Sequence, residues 1–269
     1  MRGASAGSLE RLTEQLGSAV ASGADASRVA DDLFSVSALL RREPSLRRVA
    51  TDLSLQPAAK SEFVRSLLGE QLGESSMDLV SSAVAQRWAA TRDLADALEE
   101  LGVIAVVKGA DKEGHADALE DELFGFGRLV SENPELRDAL SDPARSAADK
   151  HALLDGLLQG RATEATIRLA KQSVVSSHRT VAVAVEVYQK VAAKNRNRLV
   201  ATVRVARELA DADRQRLQGA LARQYDKPVH LNVVVDPEVV GGVKVEIGDD
   251  VIDGTVASRL DDARRRLAG

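Results

Sequence analysis

Apolar residues near the start of the chain recur at the spacing of an amphipathic helix. Leu9, Leu12, Leu16 and Val20 fall three or four residues apart, which places them on one helix face. A similar stripe runs through residues 24–40. The pattern therefore predicts two consecutive helices, each with one face turned towards a core.

Two prolines mark the starts of further helices. Pro44 and Pro57 each precede an apolar pattern at helical spacing, and proline suits the first helical position because the N–H that it lacks would have no partner there. Apolar residues at helical spacing continue around 76–90 and 94–107. We therefore expect this part of the chain to form a bundle of helices.

The chain contains an internal repeat with a period of 90 residues. Phe, Pro and Lys align as well as Leu, so shared helical periodicity alone does not explain the register. The period is also longer than that of common solenoid repeats. The matched segments include Leu33-Phe34 with Leu123-Phe124, Glu43-Pro44-Ser45-Leu46-Arg47 with Asn133-Pro134-Glu135-Leu136-Arg137, Lys60 with Lys150, and Leu67-Leu68 with Leu157-Leu158. We interpret the repeat as a duplicated helical domain.

The repeat decides one ambiguous segment. Valines at every second position from Val181 to Val187 alternate like those of a strand, and β-branched residues favour that interpretation. Val181, Val185 and Tyr188 also form a helical stripe, and the equivalent residues 93–100 have a helical pattern. We therefore predict a helix here.

The segment 94–107 closes the first copy and also opens the second, because Leu101-Gly102 resembles Leu16-Gly17. One helix shared between two bundles would join them rigidly, whereas two helices meeting at Gly102 would let them pivot. The sequence leaves both alternatives open. It predicts two tandem helical bundles, residues 1–93 and 94–193, followed by a third domain at 194–269.

The last third of the chain changes class. Residues 199–205, 229–235 and 243–247 have the composition and alternation of strands, and Asp211 is a suitable N-cap for a helix after the first of them. Gly248-Asp249-Asp250 predicts a hairpin turn before Val251 and Ile252.

Two further features complete this domain. Asp236-Pro237 and Gly241-Gly242 predict a reversal of the chain in which at least one glycine has a positive φ. A final helix would carry Val256, Leu260 and Leu267. The fold class is therefore mainly α, with a small α+β C-terminal domain.

Composition narrows the function classes. Hydrophobic residues make up 44% of the chain and aromatic residues 3%, which favours cores of Leu, Val and Ala in helices. There is no cysteine, so disulfides and thiolate metal sites are excluded. The net charge of −5 argues against a nucleic-acid partner.

Membrane segments are not predicted either. Apolar runs such as 103–107 and 233–235 are far shorter than the ~20 residues that cross a bilayer, and residues 1–30 lack the apolar core of a signal peptide. We expect a soluble, cytoplasmic protein without direct membrane insertion.

Candidate chemistry is sparse. The chain has no Gly-x4-Gly-Lys-Ser/Thr phosphate loop, and its four histidines are scattered singly without metal-ligand spacing. Asp249, Asp250 and Asp253 do not have the spacing of a calcium loop. We therefore predict no catalytic residue, no cofactor and no metal, and a protein that is not an enzyme.

The C-terminal residues resemble a known family. In order along the chain they are Val235-Asp236-Pro237, Gly241-Gly242-Val243 and Ile252-Asp253-Gly254-Thr255. This series resembles the C-terminal motif of the delta subunit family of F-type ATP synthases, which includes the mitochondrial oligomycin-sensitivity-conferring protein. Asn133-Pro134, Lys150 and Arg179 extend the resemblance into the second helical copy. The additional first copy is similar to the lengthened forms of actinobacteria. The structural motif that we take from the resemblance consists of Asp236, Pro237, Gly241, Gly242, Asp253 and Gly254.

The resemblance implies a non-catalytic stator subunit. Such a subunit links the N-terminal helices of alpha subunits to subunit b and resists rotor torque, as part of a large hetero-oligomer at the cytoplasmic face of the plasma membrane. The alternative is a general helical adaptor for protein interactions outside ATP synthase, which would explain the bundles but not the C-terminal motif.

The resemblance also implies a binding groove between the first and fifth helices of a bundle. In the second copy this groove would be lined by Leu94, Leu98, Leu101, Ile104, Ile167, Ala170 and Val174. A second candidate groove in the first copy would be lined by Leu9, Leu12, Leu16 and Leu79.

Overall fold

The computed structural model describes residues 1–196, 199–239, 241–248 and 250–255. The chain divides into two compact units, Met1–Ala192 and Ala193–Gly269. The first is helical and the second contains a four-stranded sheet. The predicted class, mainly α with an α+β C-terminal part, is confirmed.

Eleven helices begin in the first unit, and the last of them ends just past its boundary. In chain order they are α1 (Ala4–Ala21), α2 (Ala26–Arg42), α3 (Pro44–Thr51), α4 (Pro57–Leu68), α5 (Glu74–Ala85), α6 (Asp93–Lys112), α7 (Ala116–Glu132), α8 (Pro134–Ser141), α9 (Ala147–Leu158), α10 (Glu164–Val175) and α11 (Val181–Asn195).

Local chemistry sets several helix starts. Pro44, Pro57 and Pro134 are the first residues of α3, α4 and α8, as the fixed φ of proline favours. Asp25 caps α2 by accepting hydrogen bonds from two backbone N–H groups. Ser146 begins α9 with a reciprocal capping box. Each cap satisfies N–H groups that have no partner inside the helix.

The period of 90 residues appears in the helix boundaries. Helices α2, α3, α4 and α5 begin and end 90 residues before α7, α8, α9 and α10 respectively. Because α6 is one continuous helix, Asp93–Lys112, it is both the last helix of the first series and the first helix of the second. The two series share α6 and lie in one compact unit. The division of the chain at residues 93 and 193 stays a prediction.

Helix α6 is buried on all its faces. Apolar side chains from Leu94 to Ala110 along it belong to a single core that also contains residues of both series. Gly102 lies at its middle, where an added Cβ would be 2.5 Å from Cε1 of Phe34 on α2. A small residue therefore lets α2 approach α6 closely.

The segment with alternating valines forms the helix that the repeat predicted. It is α11, Val181–Asn195. Val181, Val185 and Tyr188 are buried, which is the helical stripe, whereas Val183 is exposed. Periodicity at 3.6 residues thus prevails over local β-propensity.

The second unit has the order β1 (Leu199–Val205), α12 (Asp211–Tyr225), β2 (Val229–Val235), β3 (Val243–Ile247) and β4 (Asp250–Asp253). The sheet order is β2-β1-β3-β4. β1 pairs with β2 in parallel across α12, and β3 pairs with β1 and β4 in antiparallel. The three predicted strands and the hairpin are confirmed.

Two expectations for this unit are not confirmed: one is wrong, and the other falls mainly on residues that are not described. Asp211 is not the N-cap of α12. Ala210 occupies that position without a side-chain cap, and Asp211 lies in the first turn, where its charge favours the helix dipole. The predicted final helix with Val256, Leu260 and Leu267 lies outside the described residues, as does Asp249 of the predicted turn.

Candidate functional site

The residues predicted to line a groove in the second copy are brought together, but mostly inside the protein. Leu94, Leu98, Leu101 and Ile104 on α6 are buried, and so is Ala170 on α10. Ile167 and Val174 on α10 are half-buried. Only these last two therefore reach the surface at the predicted groove.

The second candidate groove is similar. Leu12, Leu16 and Leu79 are fully buried in the core of the helical unit, and Leu9 is half-buried. Core packing is the main role of these leucines in the described structure.

An open apolar cleft lies elsewhere on the first copy, between α2, α3 and α4. It has a volume of about 580 Å³, and its lining includes Leu39, Leu46, Val49, Phe63 and Leu67. Phe63 is 41% exposed and Leu67 is 46% exposed. Leu67 belongs to the apolar pattern that follows Pro57, and that pattern predicts a helix but not an exposed surface.

The matching surface of the second copy is less apolar. The residues 90 positions later replace Val49 by Ala139 and Phe63 by Leu153. Charge also differs on these helices, because exposed Arg48 is matched by exposed Asp138. Because the repeat places these residues at equivalent positions, a substitution in one copy can be compared directly with the same substitution in the other.

A second cleft lies between the two helical series. Its volume is about 450 Å³, and it is lined by residues of α2, α9 and α10, including Phe34, His151 and Ile167. Arg168 on α10 forms a 2.8 Å ion pair with Asp31 on α2 at its edge. Burial lowers the pKa of His151, so its imidazole is neutral near pH 7.

The C-terminal motif builds turns around β3. Gly241 has φ 143° and Gly242 has φ 82°, so the expected positive φ is found at both. Gly254 donates its N–H to the carbonyl of Val243 at 2.9 Å. These glycines let the segment after β4 approach the start of β3.

Two aspartates stabilise the same turns. Asp236 accepts a 3.0 Å hydrogen bond from the N–H of Glu238, directly after Pro237. Asp253 accepts a 2.9 Å hydrogen bond from the N–H of Thr255, and hydrogen bonds from Thr255 lower the pKa of Asp253. The motif therefore acts as a structural element of the sheet.

Within the described residues, no helix combines the length and the apolar character needed to span a bilayer.

Comparisons with known proteins agree with the resemblance. The sequence model described as "OSCP: ATP synthase delta (OSCP) subunit" matches residues 104–267. The chain is 54% identical over 269 residues to "ATP synthase subunit delta" of Nocardioides sp., covering 100% of this chain and 98% of that protein. It is 47% identical to the Streptomyces coelicolor protein of the same name, again covering 100% and 98%. The Kineococcus radiotolerans protein is 48% identical over 250 residues, or 93% of this chain and 91% of that protein.

The relatives cover the first helical copy as well as the part that the sequence model matches. Full-length identity near one half, together with a match over more than half of the chain, leaves no support for a general adaptor of another family. The chain belongs to the ATP synthase delta (OSCP) subunit family.

Proposed function

We propose that this chain ties the N-terminal helices of ATP synthase alpha subunits to subunit b. Membership of the family makes it a peripheral-stalk component of an ATP synthase. The helical unit would take alpha helices, and the C-terminal unit would take subunit b. The chain would act as a non-catalytic structural subunit that holds the head against rotor torque.

The open cleft between α2, α3 and α4 is the observation that supports a helix as the partner. An amphipathic helix binds by burying spaced apolar residues in such a groove, and Phe63 and Leu67 are apolar side chains left exposed there. Burying one large apolar side chain contributes roughly 1.5–3 kcal/mol before the cost of association is subtracted, so Phe63 and Leu67 would supply a substantial part of the binding free energy.

Charge favours the first copy over the second for an acidic partner helix. Arg42 and Arg48 are exposed on α2 and α3, where the second copy has Glu132 and Asp138. Arg42 is 3.5 Å from Glu43 in an exposed ion pair, which is weak in water. In the second copy Glu132 pairs with Arg128 at 2.6 Å, so Arg48 in place of Asp138 is the charge difference that favours a helix with acidic flanks at the first copy.

The groove between α6 and α10 is the competing surface. Ile167 and Val174 reach its surface, and the family resemblance points to it. Binding there stays a prediction, and it requires α6 residues that are buried in the described structure.

The location follows from the assembly. As a peripheral-stalk component, the chain would attach through its partners, at the cytoplasmic face of the plasma membrane. Co-purification of alpha and b subunits with the tagged full-length chain checks these partners. Recovery of the chain without either subunit would remove the basis of the proposal.

The docking surface is tested in the full-length chain. Phe63→Asp and Leu67→Asp should each weaken binding of a synthetic alpha N-terminal helix peptide by about tenfold or more, as loss of a central apolar anchor does. Leu153→Asp is the matched control, because Leu153 is the exposed equivalent of Phe63 in the second copy. Unchanged binding by both first-copy variants, with a loss for Leu153→Asp, would move the site to the second copy.

A further inference from the structure

Helix α2 of the first series packs closely on α6, the first helix of the second series. The ring of Phe34 lies against Gly102. Ala26 Cβ would be 3.2 Å from a Cβ at Gly109. Ser37 donates a buried 2.7 Å hydrogen bond from its hydroxyl to the carbonyl of Ala95. The contacts extend along α6 over about four turns, from Ala95 to Gly109.

The same helix reaches α10, the fifth helix of the second series. Arg168 forms a 2.8 Å ion pair with Asp31 of α2 through Nε. Its Nη1 also donates a 3.3 Å hydrogen bond to the Ser27 hydroxyl. Helix α2 therefore contacts both helices that flank the predicted groove of the second copy.

The α6 residues predicted to line this groove have no exposed surface. Leu94, Leu98, Leu101 and Ile104 are each at most 2% exposed. A partner helix therefore finds none of them accessible in the described structure.

We propose that helix α2 of the first copy occupies the groove between α6 and α10, in the place that a partner helix would otherwise take. What this means for binding of an alpha-subunit helix rests on the proposed function. An alpha-subunit helix binds this chain with the first copy still in place, and it does not use Leu94, Leu98, Leu101 or Ile104.

If α2 could leave the groove to admit a partner helix, a chemical link between α2 and α10 would prevent that movement. The chain has no cysteine, so Asp31→Cys and Arg168→Cys introduce a unique pair on α2 and α10. A short bis-maleimide then joins the two thiols in the full-length chain. The matched control is Arg65→Cys with Asp78→Cys, a pair that lies 3.0 Å apart across α4 and α5 within the first copy.

The readout is calorimetric titration with the synthetic alpha N-terminal peptide. The α2–α10 linked chain should bind within about twofold of the same variant without linker, as the control pair does. A loss of about tenfold or more in the α2–α10 linked chain alone would show that α2 must leave the groove, and would overturn the proposal.

If the peptide binds no form of the chain, that result contradicts the proposed alpha partner. The position of α2 is then tested by the yield of the linking reaction alone. Near-complete linking with a raised melting temperature supports α2 in the groove. Little linking between residues 31 and 168, beside complete linking of the control pair, would overturn it.

Discussion

Tyr188 donates a 2.5 Å hydrogen bond from its hydroxyl to Oε1 of Glu99, which joins α11 to the middle of α6. Arg41 of α2 lies 2.5 Å from the other carboxylate oxygen, Oε2, and also contacts Asp96 at 3.0 Å. Glu99 and Tyr188 are both buried. A single carboxylate thus links a helix of each series to the helix that they share.

Replacing Glu99 should weaken the helical unit. Glu99→Ala leaves the buried Tyr188 hydroxyl without an acceptor and removes one of two partners of Arg41. We expect a loss of about 2–3 kcal/mol in the free energy of unfolding. Trp88 is the only tryptophan and is buried in this unit, so its fluorescence follows urea unfolding there.

Glu10→Ala is the control for that measurement. Glu10 is exposed on α1, and its removal should change the free energy of unfolding by less than about 0.5 kcal/mol. Equal unfolding midpoints for the Glu99 and Glu10 variants would contradict the role given to Glu99.

Tyr188 also predicts a pH dependence. Burial first, and then the Glu99 carboxylate, raise the pKa of Tyr188 above its ordinary value. In the unfolded chain the phenol ionises near its usual pKa of about 10, whereas in the folded chain it stays neutral. The unfolded state then binds fewer protons, so the stability supplied by Tyr188 is present below pH ~10 and falls as the pH rises above it.

Urea unfolding at several pH values between about 8 and 11 measures this effect. Tyr188→Phe should be less stable than the original chain at pH ~8 by about 1–2 kcal/mol, because the hydrogen bond to a charged group is lost. The difference between the two chains should shrink towards pH ~11. A difference that stays constant across this range would contradict a raised pKa.

The repeat explains why much of the fold could be predicted from the sequence. Alternating valines from Val181 to Val187 favour a strand locally, but the helical counterpart 93–100 indicated a helix, and α11 is one. The same register anticipated α2 to α5 and α7 to α10. The repeat could not decide whether α6 is continuous, because glycine at position 102 is compatible with either a break or a close approach of Phe34.

The surfaces were harder to predict than the helices. Leu67 and Leu98 fall in similar stripes, yet Leu67 is exposed and Leu98 is fully buried. Spacing reports that a face is apolar, but not which element covers it. Glu99 was missed for a related reason, since a carboxylate on a helix is ordinarily solvent-exposed, and its two partners lie 58 and 89 residues away along the chain.

Two helical glycines should respond to alanine with opposite signs. At Gly102 an added Cβ would meet the Phe34 ring, with Cδ1 at 2.7 Å, so Gly102→Ala should destabilise the helical unit by about 1–3 kcal/mol through overpacking. At Gly125 of α7 nothing lies within 4 Å of the added Cβ, so Gly125→Ala should stabilise it by about 0.5–1 kcal/mol.

Urea unfolding followed by Trp88 fluorescence measures both variants. The two midpoints should move in opposite directions from that of the original chain. Stabilisation by Gly102→Ala would show that α2 can move away from α6 without cost, and this would also weaken the inference that α2 is held in the groove.

The last prediction concerns the turn before β3. Gly242 has φ 82°, where side chains with a Cβ are disfavoured. An added Cβ would contact the carbonyl oxygen of Gly254 and would lie 2.9 Å from Cα of Thr255. Because both obstacles are backbone atoms, they cannot move aside as a side chain would. Gly242→Val should therefore destabilise the C-terminal unit by about 1–3 kcal/mol.

Gly248 supplies the matched control for this change. It also has a positive φ, 58°, but nothing lies within 4 Å of an added Cβ, and asparagine tolerates this conformation. Gly248→Asn should therefore shift stability by less than about 0.5 kcal/mol. We expect the two compact units to unfold in separate calorimetric transitions, of which Trp88 fluorescence identifies the helical one. The Gly242 variant should lower only the other transition, and an unchanged melting temperature for that transition would contradict the close approach of Gly242 to Gly254.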